Sequence, residues 1–263
     1  VHAPYEPPAG FSPTKEQSAG FGPRRSAYAG EVIYTDREIG RFLDFLEQSG
    51  LSGTTTVLVT SDHGESFGEH GHVGHGSSLF EEELKIPLLL RSPNRSVPGL
   101  QVDTLVSLID IAPTILELAG IEPPAETQGR SLVRLSEGLE DEAVRHRAVY
   151  AQRRLKADRY VVAARKGKKK WISGPLDADA NIVDLAADPD ERAPRRSEQV
   201  RRQAEQLRSN YRKTGEALFE TFGEAGAPVD LDAAARDRLR ALGYVEVSES
   251  GLPENSPAQT PAD

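Results

Sequence analysis

Four histidines, His63, His70, His72 and His75, fall within thirteen residues, interleaved with glycines at 64, 68, 71, 74 and 76. Imidazole can ligate a divalent cation, relay a proton, or contact an anion when protonated. Glycine lets a loop turn tightly, so several such rings can converge on one point. Directly before the first of them stands Asp62, a hard carboxylate donor. The pair Asp62-His63 follows Thr-Thr-Thr-Val-Leu-Val-Thr at 54–60. That run is short, β-branched and apolar without alternation, the pattern of a strand buried on both faces. A strand end holds the next residue rigidly, as a metal ligand requires. Asp62 and His63 can both reach one cation if the backbone turns at Gly64. A cation there would polarise an ester oxygen and lower the pKa of an attacking group. Two ligands do not close a site, so acidic ligands from elsewhere are required. The alternative is a polar surface loop in which histidines happen to cluster.

The flanking segments give this loop its frame. Residues 1–25 are rich in Pro and Gly and read as an irregular loop. Over 28–49, Val32, Ile33, Ile39, Phe42, Leu43 and Leu46 recur at three- and four-residue spacing, which predicts an amphipathic helix with Gly50 as its C-cap. Ile86-Pro87-Leu88-Leu89-Leu90-Arg91 predicts a second buried strand. A helix over 106–119 places Leu108, Ile111, Ile115 and Leu118 on one face, is interrupted by Pro113, and ends at Gly120. This order of elements is that of a doubly wound, mainly parallel α/β sheet flanked by helices, where ligands sit beyond the carboxyl ends of strands. Beyond about 140 the pattern changes. Short strands at 148–150, 159–163, 170–172 and 181–185 predict a small antiparallel sheet. A long charged helix follows over 197–222, with Val200, Leu207, Tyr211 and Leu218 on one side, and a shorter one over 231–242. The division expected is 1–138 for the α/β portion, 139–246 for an α+β subdomain, and 247–263 for a disordered Pro/Ser/Glu-rich tail.

Composition narrows the function classes. Of the 263 residues 37% are hydrophobic and 28% charged, with no apolar run of membrane-spanning length. A net charge of -9 argues against nucleic-acid binding, and the basic run at 165–170 reads as a solvated hairpin. With no cysteine, a disulfide scaffold and a Cys-ligated metal are excluded. The chain also lacks methionine and begins Val1-His2-Ala3-Pro4-Tyr5, without signal-peptide character. An internal or C-terminal piece of a longer protein is therefore expected.

The string Thr60-Ser61-Asp62-His63-Gly64-Glu65, then Phe67-Gly68-Glu69-His70-Gly71, His75-Gly76, Leu79-Phe80-Glu81-Glu82 and Lys85-Ile86-Pro87-Leu88, resembles the second half of a sulfatase of the alkaline phosphatase superfamily. Other segments agree in order. His2-Ala3-Pro4-Tyr5-Glu6-Pro7-Pro8 is similar to that family's His-x-Pro-Tyr-x-Pro-Pro segment. Tyr28 and the stretch from Ile33 to Gly40 are similar to the helix before the metal strand. Asp110-Ile111-Ala112-Pro113-Thr114 is similar to its Asp-hydrophobic-x-Pro-Thr helix. Asp184-Leu185 with Asp188-Pro189-Asp190-Glu191 is similar to its C-terminal turn, and Arg240-Ala241-Leu242-Gly243-Tyr244-Val245 to a segment near the end of bacterial members.

The resemblance implies a sulfuric ester hydrolase acting on a small-molecule or carbohydrate sulfate ester. Asp62 and His63 fall on two metal ligands. His2 falls on a histidine that contacts the sulfate and assists the leaving group. His75 falls where many members have a lysine that contacts the sulfate. Glu65 is read as orienting a ligand, His70 as a substrate contact, and His72 as lying behind the ligands. Calcium suits an oxygen-rich site, while manganese, magnesium or zinc tolerate the histidine. The family's nucleophile, a Cys- or Ser-x-Pro-x-Arg segment that supplies formylglycine or serine, and its early pair of aspartates are absent from these 263 residues. The fragment alone is accordingly expected to be inactive. Export to the periplasm or outside a bacterial cell follows from the resemblance only.

Three alternatives stand beside this reading. A phosphodiesterase, phosphonate monoester hydrolase or phosphoglycerol transferase of the same superfamily shares the Asp-His pair. His70-x-His72-x-x-His75 is similar to the zinc motif of metallo-β-lactamase-like hydrolases, but Gly74 stands where that family has Asp. The small sheet and long helix could instead form an inactive partner-binding fragment.

Overall fold

A computed structural model describes residues 2–155, 160–174, 180–222 and 234. The expected helix over 231–242, the segment from Arg240 to Val245 and the tail lie outside the described residues, Ala234 apart. The chain divides into two compact units: Val1–Asp36 with Phe222–Asp263, and Arg37–Thr221.

In the first unit, the irregular N-terminal segment is laid on the opening turns of helix α1 (Pro23–Gln48). Tyr5 meets Tyr28 and Phe11 meets Tyr34 edge to face, at centroid distances of 5.5 and 5.1 Å. Glu6 N–H donates to Glu31 Oε1 at 2.7 Å.

The second unit begins with the remainder of α1. Its end is a Schellman turn. Gly50, at φ 70°, donates to the carbonyl of Glu47, and Leu51 to that of Leu46. Strand β1 (Val57–Thr60) is shorter than expected because Thr54 is held in a turn by the carbonyl of Leu51. A miniature hairpin follows, β2 (Ser66–Phe67) with β3 (Val73–Gly74), then the one-turn helix α2 (Glu81–Leu84) and β4 (Leu88–Arg91). Parallel pairing is not seen among the described residues: β1 and β4 pair antiparallel, Val57 opposite Arg91 and Thr60 opposite Leu88. A parallel neighbour needs a crossover of a dozen or more residues, usually helical. The only helix between these strands is four residues long.

The helix expected over 106–119 is also revised. It opens as a 3₁₀ turn (Leu108–Asp110) and becomes α3 (Ile111–Leu118). Pro113 sits in the first α turn, where its missing N–H loses no helical bond, so it does not interrupt the helix. Of the four apolar residues placed on one face, Leu108 and Ile115 are 41% and 50% exposed and Ile111 and Leu118 are half-buried, whereas Asp110 and Thr114 are fully buried. The Asp-x-x-Pro-Thr pattern is a fastening. Thr114 Oγ1 donates to the carbonyl of Asp110 and accepts from Leu132 N–H. Asp110 accepts from the N–H groups of Ser107 and Arg130 and from the guanidinium of Arg147. Helices α4 (Val133–Ser136) and α5 (Glu142–Arg145) supply the small core of Leu132, Leu135 and Val144 packed with Leu88 and Val106.

The four-stranded sheet matches expectation closely: β5 (Val149–Arg154), β6 (Tyr160–Lys166), β7 (Lys169–Ser173) and β8 (Asn181–Asp184), antiparallel in sequence order. Helix α6 (Glu198–Phe222) buries Val200 and Ala204. The basic run at 165–170 is the expected hairpin and is exposed over 166–169, but its last residue, Lys170, has only 1% of its side chain exposed. No helix among the described residues is long and apolar enough to cross a membrane.

Candidate metal and substrate site

At the end of β1 the backbone is pinned on both sides. Thr60 Oγ1 donates to the carbonyl of Pro87, Ser61 Oγ to that of His63, and His63 N–H to Asp62 Oδ1. The His63 ring is 2.7 Å from the carbonyl of Gly64 through Nδ1. A carbonyl only accepts, so Nδ1 carries the proton, and in the neutral ring Nε2 bears the lone pair. That nitrogen lies 3.7 Å from Asp62 Oδ1. One oxygen and one imidazole nitrogen at this separation suit a shared divalent cation. A histidine whose second nitrogen is fixed by a backbone carbonyl is the usual arrangement of a metal-ligating ring. The residues present fit the implied ion.

At Gly64 the chain runs close against α2. The Gly64 N–H donates to the carbonyl of Glu83 at 2.8 Å, and a Cβ there would stand 2.1 Å from the carbonyl oxygen of Glu82. The β2–β3 hairpin, reinforced by Ser66 Oγ donating to the carbonyl of His72, returns the chain so that His75 lies on His63. The two rings stack at 3.9 Å with 24° between their planes. Glu65, with 2% of its side chain exposed, accepts from His75 Nδ1 at 3.1 Å. Asp62, His63, Glu65 and His75 are thus brought together, and Glu65 holds His75 rather than Asp62 or His63.

The other sequence candidates are placed differently. His70 stacks on Phe80 at 3.8 Å and pairs with Glu82 through Nδ1 at 2.7 Å. Its Nε2 is buried without a hydrogen-bond partner among the described residues. His72 is exposed, and its backbone carbonyl, not its ring, serves the hairpin. His2 is half-buried and belongs to the first unit.

Sequence reasoning missed α2. Its three glutamates have separate partners. Glu81 accepts from Arg165 and Lys170, Glu82 from His70, and the buried Glu83 from Ser77 N–H and Ser78 Oγ–H. Consecutive acids look like a solvated turn in a sequence. Their signal was the basic run at 165–170, 84 to 89 residues away.

Comparison with known proteins gives a consistent picture. The sulfatase family model matches residues 1–121, and the model for the C-terminal part of N-sulphoglucosamine sulphohydrolase matches residues 68–214. Choline-sulfatase of Rhizobium meliloti (strain 1021) is 34% identical over 169 residues, 63% of this chain and 31% of the relative. Arylsulfatase K of Xenopus laevis is 40% identical over 111 residues, 42% of this chain and 20% of the relative. The chain therefore spans between a fifth and a third of these relatives. Among solved structures, BT4656 in complex with its substrate D-glucosamine-2-N,6-O-disulfate superposes with a TM-score of 0.63 at 27% identity, covering 82% of this chain and 45% of that one. A phosphonate monoester hydrolase from Silicibacter pomeroyi gives 0.60 at 24% identity over 72% and 41%, a likeness of fold alone.

Proposed function

Since the chain belongs to the sulfatase family, we propose that it forms part of a metal-dependent hydrolase of sulfate esters, on small molecules or carbohydrates. One observation carries the reading: Asp62 and His63 leave a strand end with Oδ1 and Nε2 3.7 Å apart, and His75 is stacked on His63 with Glu65 fixing its ring. Asp62 and His63 are the residues that hold the cation, calcium by preference, with manganese, magnesium or zinc as substitutes. A cation held there would supply polarisation of an ester oxygen. When protonated, His75 donates through Nδ1 to the Glu65 carboxylate and contacts the sulfate through Nε2–H. His2 assists the leaving group. Carbohydrate sulfates are supported by the substrate bound to BT4656 and by the match to the C-terminal part of N-sulphoglucosamine sulphohydrolase. The phosphonate hydrolase reading has support from fold alone.

The remaining metal ligands and the nucleophile are assigned to sequence outside these 263 residues. In this reading β1 extends into a larger, mainly parallel sheet. Its support is the apolar surface left open in the α/β portion: Leu89, opposite Val59 of β1, is 59% exposed, and Phe42, Phe45 and Ile109 are 50%, 56% and 51% exposed. The α/β portion ends at 138 and the C-terminal subdomain follows.

Calorimetric titration of the chain with Mn2+ or Ca2+ tests the metal assignment. With two protein ligands, weak binding is expected, with Kd on the order of 10⁻⁴–10⁻³ M, the range of sparse oxygen-rich sites. Asp62→Ala and His63→Ala should each abolish the heat, whereas His72→Ala should leave it unchanged. Equal binding by the parent and both site variants would refute the assignment.

A further inference from the structure

One face of the β5–β8 sheet carries three cations whose side chains end on the histidine loop and on α2. The register fixes their placement. Arg153 stands opposite Val161, Ala163 opposite Ile172, and Arg165 opposite Lys170. Residues two apart on a strand share a face, so Arg153, Arg165 and Lys170 lie on the same side. Tyr150 and Trp171 lie on the other, where they meet Tyr211 and Gln203 of α6. Like charges directly opposite each other destabilise a sheet, and burying a lysine is unfavourable unless it is paired. Arg165 and Lys170 break both rules unless anions compensate.

The anions come from two places. Glu81, the first residue of α2, accepts from Arg165 Nη1 at 2.6 Å and from Lys170 Nζ at 3.1 Å. Glu191, 2% exposed, stands 2.9 Å from the same Nζ, and its other oxygen accepts the N–H of Glu81 at 2.6 Å. Glu191 is held at φ 54°, a conformation uncommon outside glycine. The turn before it is fixed by Asp188, which accepts from Arg192 and Ala193 N–H groups. Those bonds, with that from Ala193 the stronger, hold the Asp188 carboxyl below the usual carboxylate range. The third cation, Arg153, donates through Nε to the carbonyl of Gly76 at 2.7 Å.

The contacts at Gly76 and Glu81 both lead to the candidate site. Gly76 adjoins His75. Glu81 begins the turn whose Glu83 carbonyl holds Gly64, next to His63, and whose Glu83 carboxylate holds Ser77 and Ser78. We propose that Arg153, Arg165 and Lys170 are positioning residues, through which the C-terminal sheet sets the placement of His63 and His75. The functional consequence rests on the reading of those histidines as a catalytic and metal site, but the mechanical coupling does not.

Hydrogen exchange and histidine-ring NMR of the chain test the coupling without metal or turnover. Arg153→Ala removes a partly exposed donor and leaves the strand ladder intact. Amide exchange at 75–78 should accelerate about tenfold, the loss of one hydrogen bond. The His75 ring signals should move, and exchange in β6 and β7 should keep parent rates. Arg153→Lys, which retains a donor, should restore most of both effects. Lys170→Met should accelerate exchange at Gly64 and at 81–84 more than in β6. Unchanged exchange and unchanged His75 signals in Arg153→Ala would overturn the proposal, as would an equal rise across the sheet. Mn2+ titration of the parent chain separates the two ideas. Absence of binding there defeats the metal reading, while the exchange data still decide the coupling.

Discussion

Replacing Asp110 with alanine should destabilise the second unit more than any other single side-chain truncation in the chain. Asp110 is fully buried and its two oxygens take four donors: the N–H groups of Ser107 and Arg130, and both terminal nitrogens of Arg147. The variant leaves the Arg147 guanidinium, on a side chain only 16% exposed, without its counter-charge. Breaking a buried pair from one side costs about 3–5 kcal/mol, and each stranded backbone N–H adds about 1–3 kcal/mol if water cannot reach it. These contributions are not additive. Even so, the lower figure is a large share of the roughly 5–15 kcal/mol that holds a domain folded. Urea unfolding should show the midpoint of Asp110→Ala far below that of the parent, or no folded baseline at all. Asp110→Asn should also lose stability, because each oxygen takes two of the four donors and an amide nitrogen would face two of them. The double variant Asp110→Ala/Arg147→Met should recover part of the loss, since an apolar pair replaces a half-broken ionic one. A midpoint for Asp110→Ala within error of the parent would show that the pair contributes nothing.

This fastening also shows how far a sequence can be read. The elements whose identity is set by local patterning were legible: α1 with its Gly50 cap, the strand ending at Thr60, the four short strands of the C-terminal sheet, and α6. So was the convergence of Asp62, His63 and His75, because glycine spacing dictates where a backbone can double back. The faces were not. Leu108, Ile111, Ile115 and Leu118 share one face by spacing, yet the buried residues of that segment are Asp110, Pro113 and Thr114. Amphipathic periodicity shows that a helix has two faces; what covers each face is a tertiary fact. Lys170 was illegible for the same reason. Nothing in Lys-Lys-Lys at 168–170 says that the third is sealed between Glu81 and Glu191, because those partners are 89 and 21 residues away. The direction of β4 was misread because its connection to β1 is long enough for a crossover but contains no helix long enough to make one.

The second large effect belongs to a residue without a side chain. Gly64→Ala should displace α2 and with it the whole candidate site. An added Cβ would stand 2.1 Å from the carbonyl oxygen of Glu82 and 3.2 Å from the Cα of Glu83. Both are backbone atoms, so no rotamer change relieves the contact. Either the loop retreats, which breaks the 2.8 Å bond from Gly64 N–H to Glu83, or α2 moves. Motion of α2 would loosen Glu81 from Arg165 and Lys170, Glu82 from His70, and Glu83 from the serines after His75. Overpacking against a fixed neighbour costs about 1–3 kcal/mol, and a broken buried hydrogen bond adds about 1 kcal/mol. The loss should therefore be several degrees or more in Tm, accompanied by loss of the Mn2+ heat assigned to Asp62 and His63. Gly40→Ala is the matched control. Gly40 lies within α1, and a Cβ there meets nothing within 4 Å. It should stabilise the chain by about 0.5–1 kcal/mol through helix propensity and leave Mn2+ binding unchanged. If Gly64→Ala melts with the parent and binds Mn2+ as the parent does, α2 can shift without cost, and it is not the element that holds the histidines in place.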